Sequence, residues 1–352
     1  MGNTYPMAGS GPSTAPARMA SKAPKRLDAL DFTKGALVLC MVLYHSLNIF
    51  RSDRGGEWLR YLRFLPPSFI FLTGFLLAHV YPAKYEGDRL RLYRRLLFRG
   101  ARLLALFVLL NVVVSMAVRR NYNGMELGLG TLLDNWDDIL LLGGHYRAVF
   151  EVLAPISYLL MLGGFLMAAH RAWRWSLPVL VLAAAAADFI STRQGLPLPL
   201  VEMLGIGVLG MILGFSSEAN LRLLWKYRWI VVGLEAVYLL TLTFYGENEL
   251  SQALGVCVVV SFIYVIAEAA PGSFAATRAL RLLGQYSLVG YIAQIALLQI
   301  LARVLPHSLP VAPRLSIAGV IAAAGTLATV AWVRWARQRS AAVNKVYQAI
   351  FA

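Results

Sequence analysis

Hydrophobic residues in this chain come in long unbroken runs, not in alternation with polar ones. "LLALFVLLNVVVSMAV" (103–118) and "SIAGVIAAAGTLATVAWV" (316–333) approach the roughly 20 residues that a helix needs to cross a bilayer. The runs predict ten spanning helices, near 32–50, 64–82, 96–118, 149–169, 175–191, 198–216, 228–245, 251–269, 284–305 and 315–335. Continuous runs favour helices over a barrel, whose strands alternate in polarity. The predicted fold is therefore an all-α polytopic membrane protein. No internal repeat is evident, so an inverted-repeat transporter architecture finds no support.

Composition agrees. Of 352 residues, 59% are hydrophobic and 14% charged, against about 25% charged in soluble domains. The net charge of +15 does not point to nucleic acid, because the basic residues sit at the ends of the apolar runs. With ten helices both termini share a side, and more than two-thirds of the 33 Lys and Arg residues fall on it. By the positive-inside rule both termini are expected in the cytoplasm.

Residues 1–25, rich in Gly, Pro, Ala and Ser, read as a disordered cytoplasmic tail without a secretory signal. Residues 26–340 form the ten-helix membrane domain, and 341–352 a cytoplasmic C-terminal tail. Cys40 and Cys257 both lie in apolar runs without metal-ligand spacing, so no metal is expected. The longest connection, 119–148, is placed outside, and its apolar patches predict a segment that dips back toward the protein.

A few polar residues resist this pattern, and ionisable groups inside a membrane usually face a cavity. Lys34 opens the first helix at its tail side, where a snorkelling lysine is the plain reading. His45 lies eleven residues on, about 16 Å deeper. Its ring is suited either to a packed hydrogen bond or to proton transfer. Glu202 sits about as far from the outer end of its helix as His45 does from its own. At that shared depth a carboxylate would orient the ring. "RLRLYRRLLFRGARLLAL" (89–106) crowds six arginines at the start of the third helix, among them Arg95, Arg99 and Arg102. They read as a topology signal or as a site for phosphates, which guanidinium forks suit. Gly210 and Gly214 are spaced for close helix packing.

Several of these pieces together resemble acyltransferase family 3, integral-membrane O-acyltransferases that modify surface glycans. Lys34 and His45 are similar to the family's Arg-x10-His motif, with lysine in place of arginine. "FIFLTGFLLA" (69–78), Arg99-Gly-Ala-Arg102, "VEMLGIGVLGMILG" (201–214) and "LGQYSLVGYIAQ" (283–294) resemble later family segments, in order. Gln294 stands where the last of these usually has histidine. Glucan succinyltransferases and heparan-glucosamine acetyltransferases are related families.

The resemblance implies an acyl-CoA donor, acetyl-CoA being the expected one, bound from the cytoplasm, and an extracytoplasmic glycan or glycolipid acceptor. His45 would be the general base on the acceptor hydroxyl or a covalent acyl carrier, supported by Glu202. Lys34, Arg95, Arg99 and Arg102 would hold the donor. Gln294, and Trp136, Asp137 and His145 of the outer loop, would meet the acceptor, although a solvated acidic loop is the plain reading of that stretch. Partners would be membrane lipids and the glycan, and the location a bacterial inner membrane. A transporter or flippase for a glycolipid or small solute is the alternative, and would not need the arginine site.

Overall fold

The structure is a computed structural model that describes residues 28–50, 56–85, 88–117, 128–142, 149–196, 198–215, 218–246, 249–306 and 308–351. Every predicted spanning helix is present. They are α1 (Asp28–Phe50), α2 (Leu65–Lys84), α3 (Arg89–Ala117), α5 (Leu153–Ala172), α6 (Ser176–Arg193), α7 (Pro199–Gly214), α9 (Arg228–Tyr245), α10 (Glu249–Ala269), α12 (Ser287–Val304) and α13 (Val311–Arg339). Shorter helices are α4 (Leu129–Asp134), α8 (Glu218–Lys226), α11 (Ala275–Gln285) and α14 (Ala341–Phe351). No strand occurs among the described residues. Nine helical stretches in them are long and apolar enough to cross a membrane. The tenth, α7, has 16 residues and spans about 24 Å; Pro199 at its first turn sets its start.

Two crossings hold the bundle tightly. In the first, α7 lies on α2 through glycines. A methyl group built on Gly210 would overlap the Phe71 carbonyl, and one on Gly214 the Phe75 carbonyl. In the second, α1 crosses α11 where Gly35 and Gly284 each face backbone of the other helix. Small residues let the backbones approach, which is how helices gain packing energy in lipid. Other closely packed pairs are α3 with α5, α12 with α13, α6 with α7 and α9 with α10.

Three differences from the expected pattern matter. The late run near 284–305 is divided at Tyr286 into α11 and α12. The third helix begins at Arg89, so its arginines are helical. Residues 341–351, read as a tail, form α14. Both α11 and α14 are amphipathic, and their apolar positions recur at helical spacing in runs too short to signal a span. The tail at 1–25 lies outside the described residues.

The 119–148 connection does turn back onto the bundle. Ile139, in a π turn at Asp138–Leu142, is buried, and the Leu140 carbonyl accepts a 2.6 Å hydrogen bond from the Tyr158 hydroxyl of α5.

Candidate functional site

One pocket, with a volume of about 220 Å³, opens among α1, α2, α3, α5, α12 and α14. It is lined by Lys34, Arg99 and Arg102, and then by an apolar stretch that includes Leu72, Leu76, Leu103, Ile156, Leu160 and Leu288. Thr73, Tyr81 and Tyr291 are its hydroxyl-bearing aromatic and polar contributors along with Ser287. Three cations from two helices thus share a cavity whose remaining wall is mostly hydrocarbon. That chemistry suits an anionic head joined to an apolar arm.

Lys34 and Arg99 are positioned by their neighbours. Lys34 Nζ lies 2.8 Å from Asp31 one turn earlier. The same turn is pressed onto α11 by the Gly35–Gly284 crossing, and Arg281 bridges to Asp28 at 3.1 Å. Arg99 donates to the Tyr81 hydroxyl of α2, which aims its guanidinium across the pocket wall. Arg102 is one turn further along α3, on the same face. Arg95 does not line the pocket; its guanidinium sits 5.8 Å from the centre of the Tyr85 ring.

His45 stands just beyond the pocket's inner end. Its ring centre is 6.4 Å from that of Tyr291, a pocket residue, and 5.2 Å from that of Tyr44, edge to face. His45 Nε2 is inaccessible and has no hydrogen-bond partner among the described residues. Tyr291 is itself held between Phe69 and Phe150, at 6.4 and 6.1 Å. One turn past Tyr291 on α12, Gln294 is fully buried, and neither end of its amide finds a partner among the described residues. Buried polar atoms without partners cost free energy unless a ligand or water meets them. His45 Nε2 and the Gln294 amide are thus groups that a polar ligand or water could meet.

The other expected residues are elsewhere. Glu202 is in the first turn of α7. That helix packs on α2, α5 and α6, while α1 packs on α10, α11, α12 and α13; α2 touches both. The structure thus brings Lys34, Arg99 and Arg102 together, with His45 next to the pocket residue Tyr291, but does not bring Glu202 into the pocket. Trp136 and Asp137 are exposed beside α4, away from the pocket lining. His145 lies outside the described residues. Two intramembrane acids were passed over in the sequence. Asp188 of α6 is buried, and Glu235 of α9 has an inaccessible Oε2 without a partner among the described residues. Both interrupt apolar runs as Glu202 does, and that interruption was the available signal. The hydroxyl of Tyr291 gave none, because a single tyrosine in an apolar helix is ordinary. No cluster of His, Cys, Asp and Glu able to hold a metal occurs among the described residues.

The family model described as an acyltransferase domain matches residues 27–333, a stretch that contains every pocket residue except those of α14. No curated protein and no solved structure matches the chain. Ten apolar helices, a cationic pocket against the first of them and this match lead to one assignment: the chain is an integral-membrane acyltransferase and belongs to acyltransferase family 3.

Proposed function

We propose that the protein transfers an acyl group, acetyl being the expected one, from cytosolic acyl-CoA to a hydroxyl of an extracytoplasmic glycan or glycolipid. One observation carries this reading. A single pocket runs from Lys34, Arg99 and Arg102 to Tyr291, whose ring neighbours a histidine with a free nitrogen. A donor with phosphates at one end and a thioester at the other fits that polarity in one direction only. The phosphates would sit on the two guanidinium groups and the ammonium. The pantetheine arm would run along the leucines, and the thioester would arrive near Tyr291.

At that point His45 would remove the proton from the acceptor hydroxyl as its oxygen attacks the thioester carbonyl. The carbon–sulfur bond breaks, the coenzyme A thiolate leaves, and the imidazolium returns its proton to that sulfur. Gln294, with donor and acceptor ends both unpartnered, is placed to hold the acceptor's hydroxyls. Glu202 lies outside the pocket, so any part it plays concerns the acceptor or passes across α2. On this reading the basic pocket end and both termini would lie in the cytoplasm, and the 119–148 connection would lie outside a bacterial inner membrane.

The test is mass spectrometry of surface glycans from cells with and without the protein, joined to coenzyme A binding by the purified chain. Loss of one acyl mass, and binding that falls in Arg99→Ala, are the expected results. Unaltered glycans together with no coenzyme A binding would return the pocket to a transporter or flippase.

A further inference from the structure

The pocket has one wall that the family match does not reach. Helix α13 runs on to Arg339, the chain turns at Ser340, and α14 folds back. The Ser340 hydroxyl accepts from the Val343 amide at 3.3 Å, an ordinary N-cap. The fold-back is held by one side chain. Arg337 Nε and Nη2 donate to Asn344 Oδ1 at 3.0 and 2.9 Å, and Nη1 donates to the Tyr286 hydroxyl at 3.1 Å. The same guanidinium lies 3.7 Å from the centre of the Tyr347 ring. Tyr347 meets Tyr286 at 5.6 Å, and Phe351 stacks on Tyr347 at 5.0 Å. Burial pushes the Tyr347 phenol up, against the opposing pull of the Arg337 and Arg99 charges, so it stays a neutral packing group.

This dock uses Asn344, Tyr347 and Phe351, one face of α14 at helical spacing. Its outcome is that Ile350 and Phe351 stand in the pocket with Lys34, Arg99 and Arg102. Two apolar side chains beside three cations make a poor surface for a bare phosphate. They make a good one for a ligand that carries phosphates on a larger, partly apolar head, such as a nucleotide.

We propose that α14 is part of the donor site, and that Ile350 and Phe351 form the wall of its mouth against which the head of a nucleotide-bearing thioester packs. This rests on the reading of the pocket as a donor site. A family-matched core without this helix would bind the phosphates but lose contact with the head.

The test is coenzyme A affinity of the full-length purified chain, measured by titration calorimetry. The double variant Ile350→Ala with Phe351→Ala should bind about tenfold more weakly, as expected when an aromatic anchor is lost. Ala349→Ser, exposed and turned away from Phe351 on α14, should bind as the unaltered chain does. A second arm needs no ligand. Thr73→Cys, inside the pocket, should react faster with a water-soluble maleimide when the double substitution is also present, the unaltered chain serving as blank for Cys40 and Cys257. If Arg99→Ala weakens coenzyme A binding while the double variant does not, the donor site stands and the wall is wrong. Tighter binding by the double variant would make α14 a plug and also overturn the proposal. If the unaltered chain binds no coenzyme A, the donor reading fails, and an unchanged labelling rate at Thr73→Cys would then overturn the wall as well.

Discussion

At the scale of single residues, His45 differs from a packed histidine by the state of its nitrogen. A structural imidazole in an apolar bundle has its polar atoms satisfied, but Nε2 here has no partner among the described residues. Replacing it should therefore cost activity before stability. His45→Ala and His45→Gln should express and bind coenzyme A nearly as the unaltered chain does. Their transfer rates should fall by about 10²–10⁴, the usual worth of a general base. A Gln variant that modifies glycan at near-normal rate would make His45 an orienting residue. For Arg99 and Arg102 the expected loss is in affinity. Each charged hydrogen bond to a phosphate is worth about 1.5–3 kcal/mol, so Arg99→Ala and Arg102→Ala should each weaken coenzyme A binding about ten- to hundredfold. Equal affinity in both would move the donor elsewhere. His45, Lys34, Arg99 and Arg102 were legible in the sequence because each is a polar residue in a run that otherwise excludes polarity. Tyr291 and Phe351 were not, because an aromatic ring breaks no such rule and its role depends on what lies across from it.

Among elements, the crossings of α2 with α7 and of α1 with α11 rest on glycine. At Gly284 an added side chain would meet the Asp31 carbonyl and the Gly35 amide of α1. These are backbone atoms that cannot rotate away. Gly284→Val should lower the midpoint of thermal unfolding in detergent, and the about 1–3 kcal/mol typical of overpacking is a fair scale. Gly210→Val, against Phe71, should do the same. Gly233, in α9 with open space around it, is the control: Gly233→Ala should be neutral or slightly stabilising, since alanine is the better helix former. A midpoint unchanged in Gly284→Val would mean that α1 and α11 do not cross there. The glycine spacing in α7 was readable from the sequence, but its partner helix was not. A small-residue pattern states that something comes close, and the identity of that neighbour is a long-range matter.

For the whole molecule, the proposed orientation has both termini in the cytoplasm, as the positive-inside rule expects from the charge distribution. Asp134, exposed at the end of α4, then faces outward. A cysteine placed there should react with an impermeant thiol reagent on intact cells, whereas one at Lys345, exposed on α14, should react only after permeabilisation. The reverse pattern would invert the assignment and put the cationic pocket on the wrong side for a cytosolic donor.

The sequence by itself determined the class, the positions of the apolar helices and the residues that pay for lying in a membrane. Bilayer thickness dictates run length, and the absence of water makes every buried charge conspicuous. It also carried the family's ordered motifs, from Lys34 to the segment ending in Gln294. Only the tertiary structure decided that Lys34 of α1 shares a cavity with Arg99 and Arg102 of α3, that Glu202 stands apart from it, and that α14 returns to close one side. Those outcomes depend on which helix faces trade contacts across the bundle. In lipid that choice turns on close packing and on a few polar contacts such as Arg337 with Asn344, which no periodicity along one segment encodes.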